Sequence, residues 1–143
     1  MNFDLDSAVV QLCAAGMAVD GDAAAARALF AKAWDARSDD YDASIAAHFV
    51  ARHQATAEEM LFWNTVAVRH AEAITDGRAN DLMASLYLNL GDAHRVLEHH
   101  LEARAAARCA HDALVHLPPG GYREFVAHGI ERLQARLAEA DHG

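Results

Sequence analysis

The sequence predicts an all-α fold built from helical hairpins, and three observations favour it. The chain has 143 residues, of which 53% are hydrophobic, and it is rich in alanine, the residue with the highest helix propensity. It contains only two prolines, and both lie in the segment 118–121, so long stretches are free of helix breakers. Ala26, Phe30 and Ala33 place small, large and small side chains on one helical face, a pattern typical of closely packed helices.

Turn and capping signals divide the chain into seven predicted helices. Asp20-Gly21-Asp22 indicates a turn, and Ser38-Asp39-Asp40 supplies oxygen atoms that cap the start of a helix. Thr56-Ala57-Glu58-Glu59 has the sequence of a capping box. The segments 75–80, with Asp-Gly, and 118–121, with Pro-Pro-Gly-Gly, predict two further breaks. The predicted helices span about 6–19, 22–37, 39–54, 56–74, 81–97, 99–116 and 122–138.

Apolar residues recur at helical spacing inside these segments. In the last helix they lie 4, 3 and 4 residues apart, while charged residues occupy the other face. Because such a helix closes the open apolar end of stacked hairpins, we expect it to act as a cap. Its spaced apolar residues are Val126, Ile130, Leu133 and Leu137. The apolar face of the first helix contains or adjoins Leu5, Val9, Leu12, Cys13, Ala15 and Met17.

A repeat period is the next feature of the pattern. Ala33 recurs as Ala67, 34 residues further along, and a hairpin-like stretch runs from Ser85 to Leu114. With the Leu90-Gly91 pair, this resembles the tetratricopeptide repeat, whose unit has about 34 residues, Leu-Gly in its first helix and Ala-x3-Phe in its second. The resemblance implies a right-handed superhelical stack of three hairpins and a C-terminal capping helix, in one domain spanning 1–143. The implied hairpins are about 6–37, 39–74 and 81–116, and the cap is about 122–138.

The three units match the family pattern to different degrees. The first keeps the Ala-x3-Phe-x2-Ala spacing, and the third keeps the Leu-Gly pair with Tyr87 at the aromatic position. In the second unit His48 replaces the small residue and Asn64 replaces the phenylalanine. The resemblance implies that these two side chains face the contact between the helices of their hairpin. They form either a ligand site or a structural hydrogen-bond network, because a buried polar group without a partner is costly.

The resemblance also implies a groove lined by the first helices of the hairpins. Aromatic walls with a few polar groups are usual for a ligand site. The chain contains the series His-x3-Arg-His, Trp-Asn and Leu-Asn-Leu-Gly. In this it resembles small stand-alone bacterial repeat proteins with a similar series, and the resemblance extends over nearly its whole length. The candidate ligand-binding residues are His48, Phe49, Arg52, His53, Trp63, Asn64, Ser85, Tyr87 and Asn89.

Composition restricts the partners and the compartment. The net charge of −9 at pH 7 argues against nucleic acid and anionic membranes as partners. The apolar segment 8–19 is too short to span a bilayer. Cys13 and Cys109 lie far apart on apolar helix faces, which favours buried reduced thiols and a cytoplasmic location.

These observations favour a non-catalytic interaction module that binds a peptide or partner protein in its groove, as a monomer or a homodimer. We expect no cofactor and no metal ion. Some members of the family that the chain resembles grip an acidic C-terminus with Lys, Arg and Asn side chains, which this chain lacks at the matching positions. Those positions hold Gln11, Ala15, Ile45, Phe49, Leu88 and Asp92.

Two alternatives stay open. One is a small-molecule site or an enzyme, because imidazole and guanidinium groups suit acid-base chemistry, although no known catalytic motif accompanies them. Its residues would be His48, Arg52, His53, Asn64 and Tyr87. The other is a metal ion shared by His94 and Glu98, one turn apart if the helix continues through both.

Overall fold

Seven α-helices form the regular structure of residues 3–142, the part of the chain that the computed structural model describes. Short 3-10 turns follow α3 and α6, at Ala51–His53 and Leu114–His116. No strand is present in this range, so the prediction of an all-α fold is confirmed. The helices are α1 (Ala8–Ala18), α2 (Ala23–Asp35), α3 (Asp40–Val50), α4 (Ala57–Glu72), α5 (Met83–Val96), α6 (His100–Ala113) and α7 (Gly121–His142).

Three helices begin where the capping residues predict. The Asp22 carboxylate accepts a hydrogen bond from the Ala25 N–H at 3.1 Å, and Asp39 accepts one from the Asp42 N–H at 2.8 Å. The Thr56 hydroxyl accepts one from the backbone N–H three residues ahead at 3.1 Å. The predicted helix ends are less accurate. The α-helical part of α3 ends at Val50, and α7 continues four residues beyond the expected limit of 138.

The described chain divides into two units, an N-terminal unit that ends at Arg78 and a C-terminal unit that begins at Ala79. In the N-terminal unit α1 packs against α2, and α3 packs against α1, α2 and α4. The single domain predicted from the sequence stays a prediction. The core of this unit includes the buried side chains of Val9, Cys13, Phe30, Tyr41, Ile45, Ala46, Ala47 and Val68.

Small residues allow α1 and α2 to approach closely. Ala26 and Ala33 are fully buried on the face of α2 that also carries Phe30, which confirms the predicted packing face. The ring of Phe30 lies directly over Gly16 of α1, where an added Cβ would come within 2.4 Å of the ring. An alanine at this position would force the buried ring or one of the helices to shift, because protein interiors are closely packed.

The C-terminal unit is a hairpin covered by a third helix. Helices α5 and α6 pack against each other, and α7 packs against both. The four apolar residues of α7 that the spacing selected are all buried, which confirms the apolar face of this helix. They contact small side chains of the hairpin in two clusters. One is Ala84, Ala110, Ala113, Leu117, Val126 and Ile130, and the other is Ala103, Ala107, Leu133 and Leu137.

Two further expectations concern the surface of the chain. Both cysteines are free thiols, but only Cys13 is buried. The expectation of a buried thiol is wrong for Cys109, because this residue lies on the solvent-exposed side of α6. Within residues 3–142, none of the helices has the combination of length and apolar character needed to traverse a bilayer.

Candidate functional site

An apolar cleft lies between α1 and α3 in the N-terminal unit. Its volume is about 190 Å³, and all eight residues that line it are apolar. A cavity of about 150 Å³ is large enough to bind benzene, so this cleft has room for one large apolar side chain. The lining residues are Phe3, Leu5, Val10, Cys13, Ala14, Met17, Ile45 and Phe49.

The cleft has a buried floor and an exposed rim. Val10, Cys13 and Ile45 are almost completely buried at the floor, whereas Leu5 is 76% exposed and Met17 is 39% exposed. Burial raises the pKa of the Cys13 thiol to about 12. The floor is therefore uncharged at neutral pH, and apolar surface remains accessible to solvent at the rim.

Phe49 belongs to a cluster of stacked rings. It stacks on Phe30 at a centroid distance of 5.5 Å, and Phe30 in turn stacks on His53 at 6.2 Å. The rings of Phe3 and His48 pack against Phe49 at 6.4 Å and 4.9 Å. These contacts fix the orientation of the aromatic wall, because such ring pairs add to the stability gained from buried area.

Arg52 and His53 are held by a partner that the sequence did not indicate. The Asp20 carboxylate accepts hydrogen bonds from Arg52 Nε at 3.1 Å, Arg52 Nη2 at 2.7 Å and His53 Nε2 at 2.7 Å. The hydrogen bonds from Arg52 and His53 lower the pKa of Asp20 well below its usual range, and the bond to Asp20 raises the pKa of Arg52. The three side chains join the turn after α1 to the 3-10 turn after α3, and this holds both walls of the cleft together.

The two polar residues of the second predicted hairpin, His48 and Asn64, are both at least partly buried. His48 is half-buried, and burial, together with the nearby positive charge of Arg52, lowers its pKa to about 4. It is therefore neutral at pH 7. Asn64 is 7% exposed, and its side-chain amide donates to the Met60 carbonyl at 2.9 Å, one turn earlier in α4. The side-chain N–H of Asn64 therefore has its hydrogen-bond acceptor in the same helix, α4.

Trp63 contacts α2. Its ring meets that of Trp34 edge to face at 5.1 Å, and the Arg37 guanidinium lies 3.9 Å from the Trp34 ring centre. Of the six candidate residues in the N-terminal unit, only Phe49 is among those that line the cleft.

The remaining three candidates lie on α5 in the C-terminal unit. The Ser85 hydroxyl and the Tyr122 hydroxyl share a hydrogen bond of 2.7 Å, and Tyr87 packs against the core of this unit. Asn89 lines a second cleft of about 250 Å³ between α5 and α7. Its other lining residues are Leu88, Asp92, Phe125, Gly129, Arg132, Leu133 and Arg136. The predicted set is thus divided between the two units.

Three of the eight residues that line the cleft, Leu5, Cys13 and Met17, belong to the apolar face predicted for the first helix or adjoin it. Leu5 and Met17 were interpreted as part of that face, yet both have substantial exposure. The sequence does contain a signal for this exposure, which is the width of the apolar face. Apolar residues on adjacent as well as spaced positions cover more of the helix surface than neighbouring helices can bury.

The structure also bears on a possible metal site. Helix α5 ends at Val96, and Glu98 has a positive φ of 60°, so His94 and Glu98 do not lie on one continuous helix as that alternative required. Within the described residues, no group of three or more His, Cys, Asp or Glu side chains is arranged to hold a metal ion.

The fold and the cleft together define a class of protein, an all-helical protein with an apolar cleft open to solvent. Comparison of the chain with protein-family models, curated proteins and solved structures gives no match in any of the three.

Proposed function

We propose that this protein is a cytoplasmic, non-catalytic binding module of tetratricopeptide type. Its cleft between α1 and α3 accepts an apolar side chain of a peptide or partner protein. The observation that carries the proposal is the cleft itself, which is apolar throughout and open at Leu5 and Met17. Concave apolar surface that remains exposed is characteristic of a binding site.

The packing of the helices supports a fold built from repeated helical hairpins. Helix α3 contacts both helices of the hairpin before it, and α7 contacts both α5 and α6. This is expected where each hairpin buries its apolar face against the next element. The right-handed stack of three hairpins stays a prediction. The free thiols of Cys13 and Cys109 agree with a reducing compartment.

The dimensions and charge of the site restrict the partner. The cleft volume of about 190 Å³ suits one Phe, Leu or Met side chain. Met17 is flexible and polarisable, so it can adjust to different apolar groups at the rim. Exposed Asp4 and Asp6 flank Leu5, and the whole chain carries a net charge of −9. We therefore expect a partner segment with an apolar residue between basic residues, because complementary charge favours association.

The polar alternative has less support in the geometry. Arg52 and His53 both bind Asp20, and the Asn64 amide donates to a backbone carbonyl. These groups stabilise the structure, and none of them lines the cleft.

A pair of peptides tests the proposal. Two short fluorescein-labelled peptides of serine and arginine differ only in a central phenylalanine or serine, and their binding is followed by fluorescence anisotropy. We expect the serine peptide to bind about 10- to 100-fold more weakly, because burial of a phenylalanine side chain contributes about 1.5–3 kcal/mol.

Matched variants of the protein locate the binding site. Ala14 and Ala15 are adjacent and exposed on α1, but only Ala14 lines the cleft. We expect Ala14→Glu to abolish the preference for the phenylalanine peptide, since it places a charge in the apolar wall, and Ala15→Glu to retain it. Equal binding of both peptides by the wild type, or equal effects of the two substitutions, would contradict the proposal.

A further inference from the structure

The turn after α5 brings two histidines together. The backbone N–H of His99 donates to the His94 carbonyl at 2.9 Å, and the N–H of Glu98 donates to the Arg95 carbonyl at 2.9 Å. Together with the positive φ of Glu98, these bonds form a Schellman motif. In this motif the residues at the positions of His94 and His99 commonly have side chains in contact.

The two imidazole rings are close enough to share a single hydrogen. Their Nδ1 atoms lie 3.1 Å apart, with ring centroids at 5.4 Å. His94 is half-buried and His99 is exposed, so an ion from solvent can reach both nitrogens. The backbone hydrogen bonds of the turn hold the main chain of His94 and His99 at a fixed separation, so their side chains extend from neighbouring positions.

We propose that Nδ1 of His94 and Nδ1 of His99 bind one divalent ion of a late first-row transition metal, Ni²⁺, Cu²⁺ or Zn²⁺, with water completing its coordination. These are the ions that imidazole ligands suit. With metal–nitrogen bonds of about 2.0–2.1 Å, a nitrogen separation of 3.1 Å gives an angle of about 100° at the metal. That angle lies between the ideal values for square and tetrahedral coordination.

Binding replaces the shared hydrogen by the metal ion. The ring that donates from Nδ1 returns that proton to solvent and takes one up at Nε2, so both rings stay neutral and both Nδ1 lone pairs face the ion. The carboxylate of Glu102 acts electrostatically on His94, and its negative charge favours a cation at this position.

Zinc titration of the untagged full chain by calorimetry tests the site. The wild type is expected to take up one Zn²⁺ ion at a site that is weakened more than about tenfold in both His94→Asn and His99→Asn. His116→Asn is the matched control, because His116 is exposed and is not part of the pair. It is expected to bind Zn²⁺ as the wild type does.

Paramagnetic Cu²⁺ gives a second measurement, the broadening of amide signals, which does not depend on how stable the variants are. The amide signals of residues 94–102 are expected to broaden first in the wild type and to stay sharp in the His94→Asn/His99→Asn double variant at the same concentration. Equal zinc affinity in the wild type and the double variant would overturn the assignment, as would broadening centred elsewhere. The two histidines have no part in the α1–α3 cleft, so the peptide experiments succeed or fail independently.

Discussion

Asp20 is the residue through which two turns of the N-terminal unit are joined. Its carboxylate binds Arg52 through two nitrogens and His53 through one. A bidentate arginine contact has more defined geometry than an ordinary surface ion pair. The apolar cleft lies between the helices that these turns follow, so a single carboxylate contributes to the geometry of the site.

Replacement of Asp20 by asparagine should lower the stability of the protein at pH 7. The pKa of Asp20 is below its usual range in the folded protein, so its contribution is complete above about pH 4 and is lost as the pH falls further. We expect the urea midpoints of the wild type and Asp20→Asn to differ at pH 7 and to converge as the pH is lowered below about 4. Identical midpoints at pH 7 would show that the three contacts do not stabilise the fold.

His48 also makes stability depend on pH, in the same direction but in a higher pH range. Its pKa is lowered to about 4 in the folded protein and returns to about 6.5 on unfolding, so the unfolded chain binds the proton more tightly. Stability should therefore fall as the pH is lowered from about 6.5 to about 4, by up to about 3 kcal/mol. His48→Gln should remove this part of the pH dependence in urea titrations. His116→Gln serves as the exposed control, and an unchanged slope in His48→Gln would contradict the expected titration.

At the scale of single helices, the contact between α1 and α2 depends on Gly16. A Cβ at this position would lie 2.4 Å from the buried ring of Phe30, whereas at Gly21 it would meet nothing within 4 Å. Gly16→Ala should lower the free energy of unfolding by about 1–3 kcal/mol, since overpacking a core costs that much. Gly21→Ala should leave it unchanged or raise it by up to about 1 kcal/mol. Thermal unfolding measures both changes, and equal effects of the two substitutions would contradict the close packing of Gly16 against Phe30.

The starts of helices could be predicted because their chemistry is local. Asp22, Asp39 and Thr56 each accept a hydrogen bond from a backbone N–H three residues ahead. Both partners therefore lie within one short segment of the sequence. Helix ends depend on more distant contacts. The last turn of α7 carries Asp141, which pairs with Arg104 of α6, and no pattern within α7 indicates that partner.

The candidate site was predictable only in part, for a similar reason. Phe49 was selected and lines the cleft, but the partner of Arg52 and His53 lies 32 and 33 residues away in a turn. Periodicity predicts the apolar face of α1 without revealing how much of it other helices cover. The covered part of this face is determined by how α3 packs against α1.

At the scale of the whole molecule, the net charge of −9 should affect binding of the peptide partner. The Debye length falls from about 10 Å at 0.1 M salt to about 3 Å at 1 M, so added salt screens the attraction between acidic protein and basic peptide. The phenylalanine peptide with arginines should bind more weakly at high salt. A version with serine in place of every arginine should change much less. Equal salt dependence of the two peptides would contradict this contribution of charge.

The most direct test of the account is a map of peptide binding on the full chain by nuclear magnetic resonance. If the cleft between α1 and α3 is the binding site, the phenylalanine peptide shifts the methyl signals of Met17 and Ile45 most strongly. The serine peptide should leave these signals nearly unchanged at the same concentration. Shifts centred in the C-terminal unit, or no difference between the two peptides, would contradict the proposed function.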